Sequence, residues 1–220
     1  MVDILPDTAA AVAGIANGST VLVGGFGMAG MPVALIDALI DQGATDLTVV
    51  SNNAGNADSG LAALLAKGRV RRMVCSFPRQ SDSWVFDGLY RAGKIELELV
   101  PQGNLAERMR AAGAGIGAFY CPTAVGTPLA EGRETRVIGG RTYLLEYPIK
   151  GDYALIAAHR SDRMGNLVYR KTARNFAPVM ATAASTTIVQ VHQVVETGDL
   201  DPETVVTPGI FVDRVVEVMT

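Results

Sequence analysis

A chain of 220 residues, 49% hydrophobic and 19% charged with 24 glycines, can bury a substantial core and has the composition of a soluble α/β protein rich in tight turns. Its net charge of −3 gives no electrostatic footprint for nucleic acid or an anionic membrane. No apolar run reaches the roughly 18 residues of a membrane span, and the N-terminus lacks a basic-then-apolar leader, so cytoplasmic residence is expected.

In chain order, Asp7-Thr8 can cap a short helix through Ile15. Val21-Leu22-Val23 is a continuous apolar run, the mark of a strand buried on both faces, and it leads into Gly24-Gly25-Phe26-Gly27-Met28-Ala29-Gly30-Met31-Pro32. Glycines there let the backbone turn and approach a ligand, and Pro32 suits the first turn of a helix. Free N–H groups at that helix start would form a site for an anion. Val33, Leu35, Ile36, Leu39 and Ile40 recur at helical spacing, with Gly43 as the stop. A strand at 46–51, a helix around Leu61, Leu64 and Leu65, a strand at 70–77 and a helix at 84–91 follow. A half-exposed strand (Ile95, Leu97 and Leu99 alternating with Glu96 and Glu98) and a helix from Leu105 to Ala112 complete residues 18–113 as one layered unit. Beyond residue 115 the chain turns β-rich, with Gly139-Gly140 as a hairpin turn between 135–138 and 141–144. Strands are expected near 153–158, 167–169, 187–195 and 211–216, and a small-residue helix at 173–185. The alternation predicts an α/β fold with a mainly parallel sheet and helices on both faces. No linker, repeat or low-complexity segment divides residues 1–220, which read as a single domain.

Open parallel sheets bind ligands at the carboxyl ends of their strands. Those ends here are Gly24-Gly25-Phe26, Ser51-Asn52-Asn53, the segment from Ser76 through Arg79 to Gln80, and Pro101-Gln102-Gly103. Nearly all are uncharged donors, suited to a carboxylate, a carbonyl or an oxyanion. A carboxylate nucleophile, a histidine base and a cysteine are missing, so the set looks like half a site. Each member also has a bland reading: Asn52-Asn53 as a turn before Gly55, Gln102 as a loop amide, Arg79 as a solvated charge. Gly25-x-Gly27-x-x-Gly30 satisfies the dinucleotide fingerprint, but the next strand ends in Ser51-Asn52-Asn53 and offers no acid for a ribose hydroxyl. Cys75 and Cys121 read as buried free thiols, and His159 and His192, in strand-like runs, as structural. With so few dispersed ligands a metal site is not expected. Glu96 and Glu98 read as a solvent face. The run Lys67-Gly68-Arg69-Val70-Arg71-Arg72 reads as a helix end and an exposed strand edge.

The stretch from Asn17 to Pro32 resembles the signature of the A (alpha) subunit of family I CoA-transferases. The likeness continues through Ser51-Asn52-Asn53-Ala54-Gly55, Val100-Pro101-Gln102-Gly103-Asn104-Leu105 and Gly113-Ala114-Gly115-Ile116. It then runs through Asp162-Arg163-Met164-Gly165-Asn166-Leu167, Ala173-Arg174-Asn175-Phe176 and Thr207-Pro208-Gly209-Ile210. The resemblance implies a sheet of the NagB/RpiA/CoA-transferase-like type and a hetero-oligomer with a B subunit, taken as A2B2. It also implies CoA thioesters as substrates, with no tightly bound cofactor. A glutamate on the B subunit would attack the acyl-CoA, and CoA would return to form a glutamyl-CoA thioester. In this chain the resemblance assigns CoA binding to Gly24, Gly25, Phe26, Gly27, Met28, Ala29 and Gly30, and an oxyanion donor to Gln102. It places Asn52 and Asn53 along the substrate. The segments Asn52-Asn53-Ala54-Gly55-Asn56 and Cys75-Ser76-Phe77-Pro78-Arg79-Gln80-Ser81-Asp82 look like the branch that moves CoA from succinyl-CoA to 3-oxoadipate in aromatic catabolism. Its diacids call for a cation at the distal carboxylate, for which Arg79 is the nominee. A transferase for acetoacetate or short-chain fatty acids is the alternative within the class. A ligand-binding module of the same fold is the alternative outside it.

Overall fold

The computed structural model describes residues 2–218. Its first half runs β1 (Asp3–Leu5), α1 (Thr8–Val12), β2 (Thr20–Val23), α2 (Val33–Gln42), β3 (Leu47–Val50), α3 (Leu61–Ala66), β4 (Val70–Cys75), α4 (Trp84–Arg91), β5 (Glu96–Leu99) and α5 (Gln102–Gly113). The second half runs β6 (Phe119–Cys121), β7 (Thr135–Ile138), β8 (Arg141–Glu146), β9 (Gly151–Asp162), β10 (Leu167–Val168), α6 (Ala177–Ala183), β11 (Ala184–Val195) and β12 (Arg214–Glu217). The capping signals act as expected. Asp7 accepts from the Ala10 N–H at 2.7 Å, and Gly43 closes α2 in the left-handed region at φ +96°. Gly139 and Gly140, at φ +56° and +77°, turn β7 into β8.

The main sheet has the order β1-β12-β11-β9-β2-β3-β4-β5, parallel throughout, with β10 added antiparallel to β9. Strands β6, β8 and β7 form a separate antiparallel sheet. Residues 18–113 are therefore not a closed unit: β2 pairs with β3 on one side and with β9 on the other, and the C-terminal strands extend the same sheet. The strand order reverses between β2 and β9, which makes the end of β2 a topological switch point. Alternate residues of β2 serve opposite cores. Val21 and Val23 pack with α1 to α4, whereas Leu22 packs with α5 and α6. The sheet is thus covered on both faces, as its apolar strands require.

Several local expectations give way. Helix α5 begins at Gln102, three residues early, because Pro101 with φ −53° serves as its cap. The helix expected at 173–185 divides: a 3-10 turn spans Lys171–Arg174, α6 follows, and β11 takes over at Ala184. Strand β4 is internal, not an edge, and its arginines are engaged. Arg69 donates to the carbonyls of Gly43 and Ile40 at the end of α2, and Arg71 pairs with Asp46 and Glu96. Cys121 is only partly buried, unlike Cys75, since β6 lies in the small outer sheet.

Candidate active site

Backbone pairing continues past the ends of β3, β4 and β5 and keeps their tips level. The Ser76 and Phe77 N–H groups both donate to the Asn52 carbonyl, and Val100 N–H donates to that of Cys75. This alignment sets Asn52, Ser76, Phe77, Gln80 and Gln102 around one cleft of about 410 Å³, with Phe26 closing it from the β2 side. Gln102, in the first turn of α5, donates Nε2–H to Asn52 Oδ1 at 2.7 Å. Asn52 is 2% exposed, so the amide pair is anchored on a buried partner. One Nε2 proton of Gln102 is thereby used and the other is left for the cleft.

Asn53 is buried too, but it serves the backbone: its Oδ1 accepts from Gly55 N–H at 2.9 Å, the turn interaction of an asparagine. Its Nδ2 is shielded and has no hydrogen-bond partner among the described residues. Arg79 does not line the cleft. Its Nε donates to Asp87 Oδ1 at 2.6 Å, because α4 presents that carboxylate eight residues on, within easy reach of the guanidinium.

The glycine segment is a hairpin. Phe26 and Ala29 exchange both backbone hydrogen bonds, at 3.0 and 3.2 Å, with Gly27 at φ +58° in the first turn position. Asn175 pins this hairpin from outside: its Oδ1 accepts from Gly25 N–H at 3.1 Å and its Nδ2 donates to the Ala29 carbonyl at 2.9 Å. Gly30 is obligatory, for at φ +70° a Cβ there would lie 2.2 Å from the Ala173 carbonyl oxygen. The anion site expected at the start of α2 is taken up in part by the chain itself: Gln190, buried on β11, accepts from Leu35 N–H at 3.2 Å, and Val33 N–H donates to the Met31 carbonyl at 3.0 Å. No hydrogen bond is made among the described residues by the amides of Gly27 and Met28 at the tip of the hairpin, nor by those of Gly30 and Ala34.

Two further cavities flank the hairpin. One of about 520 Å³ is lined by Phe26, Ala29, Lys171, Thr172, Arg174 and Asn175, and carries two cations without a carboxylate. The other, about 280 Å³, includes Gly30, Arg170, Gln190, His159 and His192. The two histidine rings stand edge to face at 5.6 Å. Burial, with the charges of His192, Arg160 and Arg170, holds His159 below its ordinary value. Burial pushes the Cys75 thiol up to about 12, so it stays protonated and inert.

Glu98 is not a solvent-face residue. Burial alone would raise its pKa, but the hydrogen bond and charge of Arg108 at 2.7 Å, joined by Arg72, outweigh that and hold the carboxyl below its usual range. Buried Glu146 accepts from Asn104 and pairs with Arg133, both at 2.7 Å. These contacts fasten α5, and with it Gln102, to β5 and to the small sheet. Sequence reasoning missed Gln190, although a lone amide inside Ile188-Val189-Gln190-Val191 was a visible signal. It also passed over Ser76 and Gln80 in favour of charged Arg79.

Residues 6–218 match the model of the Coenzyme A transferase family, and the chain belongs to that family. It is 70% identical over 210 residues to the A (alpha) chain of the 3-oxoadipate CoA-transferase of Pseudomonas putida, a match covering 96% of this chain and 91% of the relative. The protein of the same description from Acinetobacter baylyi is 62% identical over 210 residues, covering 96% of this chain and 92% of the relative. Among solved structures, an acyl-CoA transferase from Escherichia coli superposes with a TM-score of 0.86 at 26% identity. The match covers 99% of this chain but 47% of that one, so the chain spans about half the length of that enzyme.

Proposed function

We propose that this chain is the alpha component of a transferase that moves CoA from succinyl-CoA to 3-oxoadipate, acting as a single domain within an A2B2 assembly in the cytoplasm. The observation that carries the reading is the composition of the cleft. It is lined by Asn52, Ser76, Gln80 and Gln102 with two phenylalanines, and no carboxylate, histidine or thiol is among them. Such a cleft can stabilise charge that develops on an oxygen, but it cannot attack a thioester. In this reading the nucleophilic glutamate comes from the B subunit, as the family resemblance implies.

In this reading Gln102 aims its free Nε2 proton at the oxygen of the tetrahedral intermediate, while Asn52 holds the amide in that orientation. Asn53 holds the turn to Gly55 that follows the end of β3. The hairpin from Gly24 to Gly30 carries CoA past the cleft mouth, with the Gly27 and Met28 amides turned toward it, and Lys171 and Arg174 lie beside it for the phosphates. Phe26, Met28, Phe77 and Trp84 are each more than half exposed (52%, 53%, 57% and 61%), which supports a partner chain over this face. Co-expression with the B subunit encoded in the same organism tests the proposal. The purified complex should form 3-oxoadipyl-CoA from succinyl-CoA and 3-oxoadipate. A complex that uses acetoacetate or a short fatty acid and ignores 3-oxoadipate would assign the chain to the other branch.

A further inference from the structure

The cleft has two groups of polar side chains, and only one of them is used by the chemistry above. Asn52 and Gln102 form the first. The second is built by the segment after β4: Ser76 Oγ is shielded from solvent with no partner among the described residues, and Gln80 lines the same wall. Gln80 is held from two sides. Its backbone N–H donates to Ser83 Oγ at 2.7 Å, and its side-chain Oε1 accepts from Asn56 Nδ2. With the amide oxygen occupied, the Nε2 protons are what Gln80 offers the cleft. Phe26 and Phe77, half exposed, line the same cleft and offer apolar surface for a methylene chain.

The geometry points to Ser76 and Gln80 as the receptor for the distal carboxylate of a diacid acceptor, with neutral donors in the place where an arginine was expected. The inference rests on the function proposed above and deepens it. Neutral donors suit this position. An arginine inside the cleft would need a permanent counter-charge when the site is empty, whereas an amide and a hydroxyl bind a carboxylate through charge-assisted hydrogen bonds at a smaller desolvation cost. Arg79 is already neutralised by Asp87.

The test compares two acceptors in the reconstituted complex with succinyl-CoA as the common donor: 3-oxoadipate, and 3-oxohexanoate, in which a methyl replaces the distal carboxylate. Any effect on the donor half-reaction cancels in the ratio of the two kcat/KM values. Gln80→Leu should lower the ratio of 3-oxoadipate to 3-oxohexanoate about tenfold to a hundredfold, the range for a hydrogen bond to a charged group. Gln80→Glu, which sets one carboxylate against another, should lower it further, and Ser76→Ala should lower it less. Gln102→Ala should depress both acids alike. An unchanged ratio in both Gln80 variants would overturn the inference, as would a larger loss of ratio in Arg79→Ala than in Gln80→Leu. Failure of the wild-type complex to accept 3-oxoadipate would instead overturn the proposed function, so the two failures are distinct.

Discussion

Gln102 is worth most at the residue scale because it makes one strong contact and keeps one donor free. Its bond to Asn52 at 2.7 Å costs little to maintain, since Asn52 is buried and already fixed by the ladder that runs past β3 and β4. Removing an oxyanion donor typically costs a hundredfold or more in rate. Gln102→Ala should therefore lower kcat of the complex by about that factor with a small change in KM, measured by steady-state kinetics. Asn52→Asp keeps the acceptor for Gln102, and Asn52→Leu removes it, so the leucine variant should lose more kcat than the aspartate. Equal losses would show that Asn52 acts on substrate and not on Gln102. The sequence puts Asn52 and Gln102 at strand ends, and the structure brings the two side chains into one cleft. Arg79 misled because its charge matched the substrate, while the Asp87 that captures it lies on a different element. Only packing could reveal that.

At the element scale the glycine hairpin shows how a loop is held by parts of the chain distant in sequence. Asn175 reaches both of its sides across nearly 150 positions, and Ala173 leaves no room for a Cβ on Gly30. Gly30→Ala should destabilise the protein by at least about 1–2 kcal/mol from the left-handed backbone alone. The clash with the Ala173 carbonyl should add a loss of activity greater than the loss of stability explains. Urea unfolding and turnover of the same variant check this; a Gly27→Ala control shares the positive φ but has open space for its Cβ. A Gly30→Ala protein no worse than that control would refute the steric role of Ala173. Most helices and strands were legible from apolar periodicity and glycine stops. The start of α2 was not, because a helix N-terminus looks alike in sequence whether water, an anion or the Gln190 amide satisfies it.

Across the whole molecule, one sheet carries both halves of the chain, and the edge at β5 is tied down by charge. Glu98 bridges Arg72 of β4 and Arg108 of α5. Its folded pKa lies below its ordinary 4.5, so its contribution to stability is complete above that pH and is lost as pH falls through the folded value. Glu98→Gln should flatten the pH dependence of urea unfolding below about pH 4.5 and reduce stability at neutral pH. The alternation of strand and helix made the parallel sheet legible; the joining of β9 to β2 was not, because nothing local in either strand specifies a neighbour 132 residues away. That the cleft is only half a site can be checked by treating the reconstituted complex with succinyl-CoA alone, quenching, and weighing each chain by mass spectrometry. CoA should be found as a thioester on the B subunit, with this chain unmodified and inactive when assayed by itself. Covalent CoA or acyl on this chain, or transferase activity without its partner, would show that the nucleophile is its own.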